Sequence, residues 1–582
     1  MEKNLEHKRH TLAHLLAAAV LEKYPNAKLT LGPAIDTGFY YDIDFGDGET
    51  PGDGDLKQLQ KGMKKLINKW TEFTHEEVSA DKAKEVFSGN PYKLELIEEI
   101  AGRGEKITLY TCGGFTDLCR GGHSENPKEE INMDAFKLDK IAGAYWRGDE
   151  KNPMLTRIYG VAFDTKEELE TYEKQLEEAK ARDHRKLGKE LGLFTFSDLV
   201  GPGLPLWTPK GTILRDQIDA FVQSLRAKKG YQKVTIPHLA KKSLYETSGH
   251  WNKYSEDLFK VRSKEDSEHE EYVLKPMNCP HHTQIFDSEL RSYKEMPQRY
   301  ADTTMVYRAE QSGELSGLTR VLSITQDDAH IFCRESQLRD EIEGVWDIVN
   351  SFYGAFGFNL SVRLSFRDEA KPEKYLGEDS VWKETQSLME EIAKDRNVEY
   401  FIGEGEAAFY APKIDFMAKD SIGRVHQVAT IQLDRLLPER FNLNCVNENG
   451  ERERIIMIHA AIAGSLERFS AVLIEHTAGK FPLRFAPVQL AIIPVADVHV
   501  PYATEVAKEL RSAGFRIELD DSKESMGKKI RNAKKAKLPY FLVIGDKEVE
   551  SKSVTVETRD SEESTTLSLE DLLTKLIDER NV

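Results

Sequence analysis

Toward the C-terminus the exchange of apolar and polar positions is regular. VQLAIIPV reads as a buried strand, YATEVAKELRSAG as a helix stopped by glycine, and FRIELD as another strand. MGKKIRNAKKA is helical again, YFLVIG is a strand and SLEDLLTKLIDER a closing helix. This alternation predicts a mostly parallel α/β domain over 484–582. Upstream, the charged run TKEELETYEKQLEEAKARDHRKLGKEL, residues 165–191, predicts a solvated connecting helix. Residues 1–164 mix helical and strand patterns, with glycine-rich turns such as FGDGETPGDGD. A large middle region covers 192–483, and Pro482 and Pro487 bracket its end. There is no internal repeat and no low-complexity tract.

Length and composition narrow this picture. At 582 residues the chain exceeds what one hydrophobic core supports, so three or more domains are expected. Cys112, Cys119, Cys279, Cys333 and Cys445 are scattered without a paired framework, which favours reduced thiols over disulfides. No apolar run approaches the roughly 18 residues that span a membrane, and the start lacks a secretory apolar stretch. No membrane association and a cytoplasmic location are the expectations. The formal charge of −18 argues against indiscriminate nucleic-acid binding. It leaves room for an RNA partner through local basic runs, of which there are two, Lys180–Lys189 and Lys528–Lys537. Each read alone also fits a solvated helix face.

Candidate chemistry lies in two regions. In the middle, NCPHH (Cys279), TQDDAHIFC (His330) and MIHAAIAGSLERF (His459) offer a thiolate and two imidazoles. That set suits zinc with an open fourth position, the arrangement of a substrate-binding site. His281, His282 and Cys333 are equally available by composition. In YRAEQSGELSGLTR, Arg308 and Glu310 stand two apart on an extended pattern, which predicts both on one face of a strand. Arg468 in GSLERF falls on a helix after a small-residue turn, and arginine forks suit phosphate clamping. Near the N-terminus, His10 and His14 share a helical face in HTLAHLLAAAV, and Cys119 and His123 occur in DLCRGGH. Two histidines with Cys-x-x-x-His make a good zinc composition; an amphipathic helix with two exposed histidines is the plainer alternative.

The segments KPMNCP, VYRAEQSGELSGLTRV, ITQDDAHIFC, AFYAPKIDF, TIQLD..LPERF and IHAAIAGSLERF, in this order and spacing, resemble the class II catalytic core of threonyl-tRNA synthetases. The likeness extends over essentially the whole chain. It implies an α+β and α/β multidomain fold: an α+β N-terminal editing domain (1–164), a connecting helix (165–191), an antiparallel-sheet catalytic core (192–483) and an α/β anticodon-binding domain (484–582). Cys279, His330 and His459 match the family's zinc ligands, one zinc per subunit. Threonine would complete the shell through its amino and hydroxyl groups, which valine cannot do. Asp328 matches the residue receiving the substrate ammonium, and Met277, Gln326, Tyr410 and Gln432 match the threonine pocket. For ATP and its magnesium, Arg308 matches the α-phosphate arginine, Glu310 the carboxylate near the adenine amine and Arg468 the γ-phosphate arginine. Arg320, Lys413, Gln427 and Thr430 fall on further substrate positions. The implied partners are ATP, L-threonine, threonine tRNA and a second copy of the chain, since YQKVTIPHL with Pro237 looks like the dimer-forming motif 1.

With GPAIDTGFYYDID and AGAYWRGDEKNPMLTRIYG, the N-terminal region resembles the editing domain of bacterial members of the family. His10, His14, Cys119 and His123 match its core, with Lys93 and Asp117 as partners. These residues can position water and ribose in the family without metal, so the likeness does not assign zinc here. Editing has a physical reason: serine lacks only a methyl, and a missing methylene is worth only about 1–3 kcal/mol of discrimination. In the C-terminal domain Arg531 and Glu548 sit where the family reads anticodon bases. Departures include Ala460 and Leu322 where arginine is usual, Ala429 for glycine, His281 for glycine, Glu557 for arginine, and the absence of the small domain that precedes editing in many relatives. The alternative in keeping with those departures is a catalytically weak, RNA-binding regulatory paralogue; prolyl and seryl synthetases lack the Cys–His–His set.

Overall fold

The structure is a computed structural model and describes residues 2–46, 50–262, 271–561 and 563–581. It divides into two compact units, Met1–Glu177 and Glu178–Val582.

The first unit is built on the helix Glu2–Lys23. Leu12, Leu15, Leu16, Ala19 and Val20 recur at helical spacing and are buried against the strands Gly38–Asp44, Met154–Ala162 and Phe136–Tyr145 of a five-stranded sheet. A second sheet, Thr74–Val78, Ile107–Cys112 and Phe115–Leu118, carries the helices Ala80–Val86 and Pro91–Gly102. Asn90 caps the latter by accepting from the backbone N–H of Tyr92 and Lys93, which fixes the first turn of the helix on which Lys93 sits.

The second unit is dominated by an eight-stranded sheet. Its order is Gln232–Lys233, Gln298–Tyr307, Ser323–Cys333, Ile456–Ala461, Val425–Asp434, Lys413–Lys419, Asn359–Phe366 and Tyr400–Glu404. Pairing is antiparallel except at the two edges, where the outermost strands run parallel to their neighbours. One face is covered by the helices Pro209–Lys228, Leu338–Gly354 and Leu466–Thr477 around Leu214, Ile331, Trp346, Ile414, Ile458 and Phe469, all buried. The other face of the central strands is polar, and the registers carry that polarity in rows. His330 lies opposite His459, His459 opposite Gln432, and Gln432 opposite Lys413. Because strand side chains alternate, Gln326 and Asp328 share the face of His330 while Asp327 and Ala329 point into the core.

Three expectations change. The charged run over 165–191 is two helices, Lys166–Arg182 and His184–Glu190, because the Asp183 carboxylate caps the second by accepting from Arg185 N–H. The C-terminal sheet is mixed: Leu490–Pro494, Ile517–Leu519 and Tyr540–Ile544 are parallel, but Ser553–Thr558 and Thr565–Ser568 add two antiparallel strands. Arg308 and Glu310 are not on a strand. The strand ends at Tyr307: Arg308 N–H still donates to Leu322 O, the next position in register, but Ala309 N–H turns away to Asp257 O.

Candidate active sites

The central polar row brings three distant segments together. The Sγ of Cys279, at the start of the helix Cys279–Asp287, and one ring nitrogen from each of His330 and His459 all lie within 4.8 Å of one another. The remaining nitrogens are engaged. His459 Nε2 faces Asp434 Oδ2 at 2.9 Å, and His330 Nδ1 faces His282 Nδ1 at 2.7 Å. Those contacts leave His459 Nδ1 and His330 Nε2 for a metal, each imidazole oriented by an outer partner. Burial, reinforced by Asp328 and Asp434, pushes the Cys279 thiol well up, so a cation is what would hold it as thiolate. The donor set and its outer contacts fit zinc.

Around this centre, Asn278 Nδ2 donates to Asp328 at 3.0 Å and the Tyr410 hydroxyl donates to Gln432 at 2.6 Å. Burial raises the Asp328 carboxyl to about 6, and the charges of His459 and Arg226 with the Asn278 hydrogen bond offset it only in part. Met277 packs beside Cys279 in a small apolar cluster. His250, singled out by no sequence motif, lies with its ring 5.9 Å from that of Tyr410. Its Nδ1 pairs with Ser248 Oγ at 2.8 Å, and Nε2 is buried without a partner among the described residues.

Next to it opens a cleft of about 740 Å³ that Arg308, Glu310, Arg320, Gln427, Thr430 and Arg468 all line, together with Gln326 and Ala429. Glu310 is tied to Arg320 at 2.7 Å, and Arg320 also reaches Glu314 at 2.9 Å. Beneath the cleft lies a hub that the sequence reading missed: fully buried Asp415 accepts from Gln427 at 2.9 Å, Thr430 at 2.8 Å, Ser365 at 2.7 Å and Arg363 at 3.0 Å, and pairs with Lys413 at 3.3 Å. The loop behind Arg320 is fixed by His184, whose Nε2 accepts Leu318 N–H at 3.1 Å while Nδ1 meets Glu475 at 2.7 Å. Gly317 takes φ +49 there, and a Cβ would stand 2.2 Å from His184 Nε2. With both nitrogens engaged, His184 is not available as a metal ligand.

In the first unit a cavity of about 370 Å³ is lined by His10, His14, Lys93, Asp117 and Cys119. Cys119 Sγ lies 3.5 Å from His10 Nε2 and 3.4 Å from His123 Nε2, and His123 stacks on Phe73. Buried Asp117 accepts from Lys93 Nζ and the Tyr41 hydroxyl, each at 2.5 Å, and faces His14 Nδ1 at 3.2 Å. Tyr41 is a partner the sequence reading did not name. Burial would lower His14, but hydrogen bonds to Asp117 and Cys119 outweigh it and raise the imidazole to about 9. Burial would raise Cys119, yet hydrogen bonds from His10, His123 and His14 lower it to about 3. Both shifts favour a thiolate at Cys119 beside an imidazolium at His14.

In the C-terminal domain Arg531 is exposed on the helix Met526–Lys535. Glu548 is engaged internally, accepting from Thr555 Oγ1 at 2.6 Å and Gly545 N–H at 2.8 Å, which makes it a helix cap.

Three family matches cover these regions. Residues 107–159 match "Threonyl and Alanyl tRNA synthetase second additional domain", 259–477 "tRNA synthetase class II core domain (G, H, P, S and T)" and 489–579 "Anticodon binding domain". The chain is 50% identical over 557 residues to the threonine–tRNA ligase of Gloeobacter violaceus, covering 95% of this chain and 88% of that protein. It is 48% identical over 575 residues to that of Synechococcus elongatus, covering 98% and 94%. Among solved structures, a putative threonyl-tRNA synthetase of Aeropyrum pernix superposes with a TM-score of 0.61 at 28% identity, covering 69% of this chain and 96% of that one. Among the described residues no helix is long and apolar enough to cross a membrane. Near-complete alignment at about half identity, with catalytic core, editing domain and anticodon-binding domain all matched, means that the chain belongs to the threonine–tRNA ligase family of class II aminoacyl-tRNA synthetases.

Proposed function

We propose that Cys279, His330 and His459 hold the zinc ion at which threonine is selected, and that the adjoining cleft holds ATP with magnesium. The observation that carries this reading is the row of two imidazoles with outer nitrogens engaged, set beside a thiol and opening onto a cleft of nucleotide size. Bound there, zinc would offer open positions to an amino and a hydroxyl group, and so distinguish threonine from valine. Asp328 receives the substrate ammonium, with Gln326, Met277, Tyr410 and Gln432 around it. Arg308 grips the α-phosphate, Arg468 the γ-phosphate, and Glu310 the adenine amine. Lys413, Gln427, Thr430 and Arg320 complete the nucleotide site. The threonine carboxylate attacks the α-phosphorus in line and expels pyrophosphate, and the aminoacyl group then passes to a ribose hydroxyl of threonine tRNA with release of AMP. Neither step needs a protein nucleophile, so these residues act by positioning and by stabilising charge.

In the first unit, His10, His14, Cys119 and His123, held by Lys93 and Asp117, hydrolyse seryl-tRNA. Arg531 and Glu548 contact the anticodon, Glu548 from a carboxylate that also caps its own helix. The chain works as a homodimer joined through the motif 1 segment, whose strand Gln232–Lys233 lies at an edge of the large sheet, and it acts in the cytoplasm.

Pyrophosphate exchange into ATP tests the whole reading. Zinc-loaded protein is expected to exchange strongly with threonine, weakly with serine and not with valine; no exchange with any of the three leaves the RNA-binding paralogue as the better account. The outer contact of His459 gives a separate test. Asp434→Asn removes the carboxylate that orients the imidazole, and zinc affinity should fall by roughly 10–100-fold in chelator competition. An unchanged affinity would detach Asp434 from the metal site.

A further inference from the structure

Arg226 near the end of the helix Pro209–Lys228 is one of the largest fully buried side chains, and the expected chemistry gives it no role. It lies on the core face of the sheet, where its Nη1 pairs with Asp327 and its Nη2 reaches the Ala460 carbonyl at 3.4 Å. A buried ion pair is poor evidence for stability, because apolar replacements are often as good, so its use here needs another explanation.

The explanation lies in what Asp327 holds. Its Oδ2 accepts the N–H groups of Ile462 at 3.0 Å and Ala463 at 2.9 Å, and its own N–H donates to Gly464 O at 2.8 Å. From the same side the Tyr353 hydroxyl donates to Ile462 O at 2.8 Å. Residues 462–465 are the turn that joins the strand of His459 to the helix Leu466–Thr477 of Arg468, with Ser465 capping that helix at Arg468 N–H. Asp327 is thus a clamp for the turn from below, and burial pushes its carboxyl toward the neutral form while the Arg226 charge opposes this. A protonated Asp327 would hold two N–H groups less firmly than a carboxylate.

We propose that Arg226 is a positioning residue of the synthetic site: by pairing with Asp327 it fixes the Ile462–Ser465 turn and so the reach of Arg468 into the nucleotide cleft. The proposal rests on the assignment of Arg468 to ATP made above. It also predicts where else the guanidinium could come from. Ala460 lies opposite Ala329, on the same sheet face as Asp327 and one diagonal step away, so an arginine there would reach the carboxylate.

The test uses the full-length, zinc-loaded protein and four variants: Arg226→Lys, Arg226→Leu, Arg226→Leu with Ala460→Arg, and Ala460→Arg alone. Equilibrium ATP binding, the KM values for ATP and threonine, zinc content and melting temperature are measured for each. In Arg226→Leu, ATP affinity should fall about 10–100-fold, with zinc retained and the threonine KM within about threefold. The double variant should regain most of that loss, although Ala460→Arg alone, which crowds Arg226, should not improve on the parent. If Arg226→Leu does not fold, Arg226→Lys and the double variant decide by the same readouts. Unchanged ATP affinity in folded Arg226 variants overturns the proposal. So does a double variant that recovers its melting temperature but not its ATP affinity, because that is the mark of a merely structural pair. Threonine-dependent exchange by the parent protein separately tests the synthetase reading, and the ATP-binding result stands whichever way that control falls.

Discussion

Replacing Arg308 by alanine is expected to cut threonine-dependent exchange by about 10³-fold, with folding and zinc content unchanged. The size follows from where charge develops: in-line attack at the α-phosphorus loads negative charge onto the oxygens that Arg308 would grip. The selectivity follows from the state of the side chain. Among the described residues its one hydrogen bond runs from Nε to Pro276 O at 3.5 Å, so no internal carboxylate neutralises it. Arg320 is the useful contrast, tied to Glu310 and Glu314 before any substrate arrives. Truncating Arg308 therefore removes almost nothing from the folded state and much from the transition state, while Arg320→Ala should cost less and chiefly loosen Glu310. Arg308→Lys should recover only part of the loss, because an ammonium keeps the charge without the two-pronged fork. A folded Arg308→Ala protein that exchanges within tenfold of the parent would remove Arg308 from the chemistry.

How much of this could be read from the chain depends on the range of the interaction. In TQDDAH the strand period alone separates Gln326, Asp328 and His330 from Asp327 and Ala329, so one short segment announces both a substrate face and a core face. The helix period does the same for His10 and His14, whose Nε2 atoms lie 3.2 Å apart. What stayed illegible is the outer layer. Asp434 on His459, His282 on His330, Asp415 under Gln427 and Thr430, Tyr41 on Asp117 and Arg226 on Asp327 all meet across strands or helices far apart in sequence, and no local pattern encodes such pairs. Arg308 and Glu310 were misplaced for a related reason. The extended pattern continues past Tyr307, and Arg308 N–H still meets Leu322 O in register, but a tertiary acceptor, Asp257 O, captures Ala309 N–H and ends the strand. The break at Asp183 did have a local signal, a capping residue within a charged helical run, which the run's helical composition obscured.

The cavity proposed for editing gives a prediction in which the signs of two shifts decide the outcome. Asp117→Asn should reduce seryl-tRNA hydrolysis by about 10²-fold or more, with threonine activation unaffected, because Lys93, His14 and Tyr41 all lose the carboxylate that orients them. Its effect on stability depends on pH. In the parent, His14 is raised from 6.5 to about 9, so its stabilising contribution is whole below pH 6.5 and is lost as pH rises through 9. Cys119 is lowered from 9.0 to about 3, so its contribution is whole above pH 9 and is lost as pH falls through 3. Between pH 6.5 and 9 one contribution falls as the other grows, and the two slopes largely cancel. Without the Asp117 charge the upward shift of His14 shrinks while the Cys119 slope remains. The variant, less stable than the parent throughout, should then gain roughly 1–2 kcal/mol relative to it on going from pH 6.5 to 9. Denaturant titrations of both proteins at several pH values across that window would measure this. Parallel stability profiles would mean that Asp117 does not hold the His14 charge, and undiminished seryl-tRNA hydrolysis would mean that the charge does not serve editing.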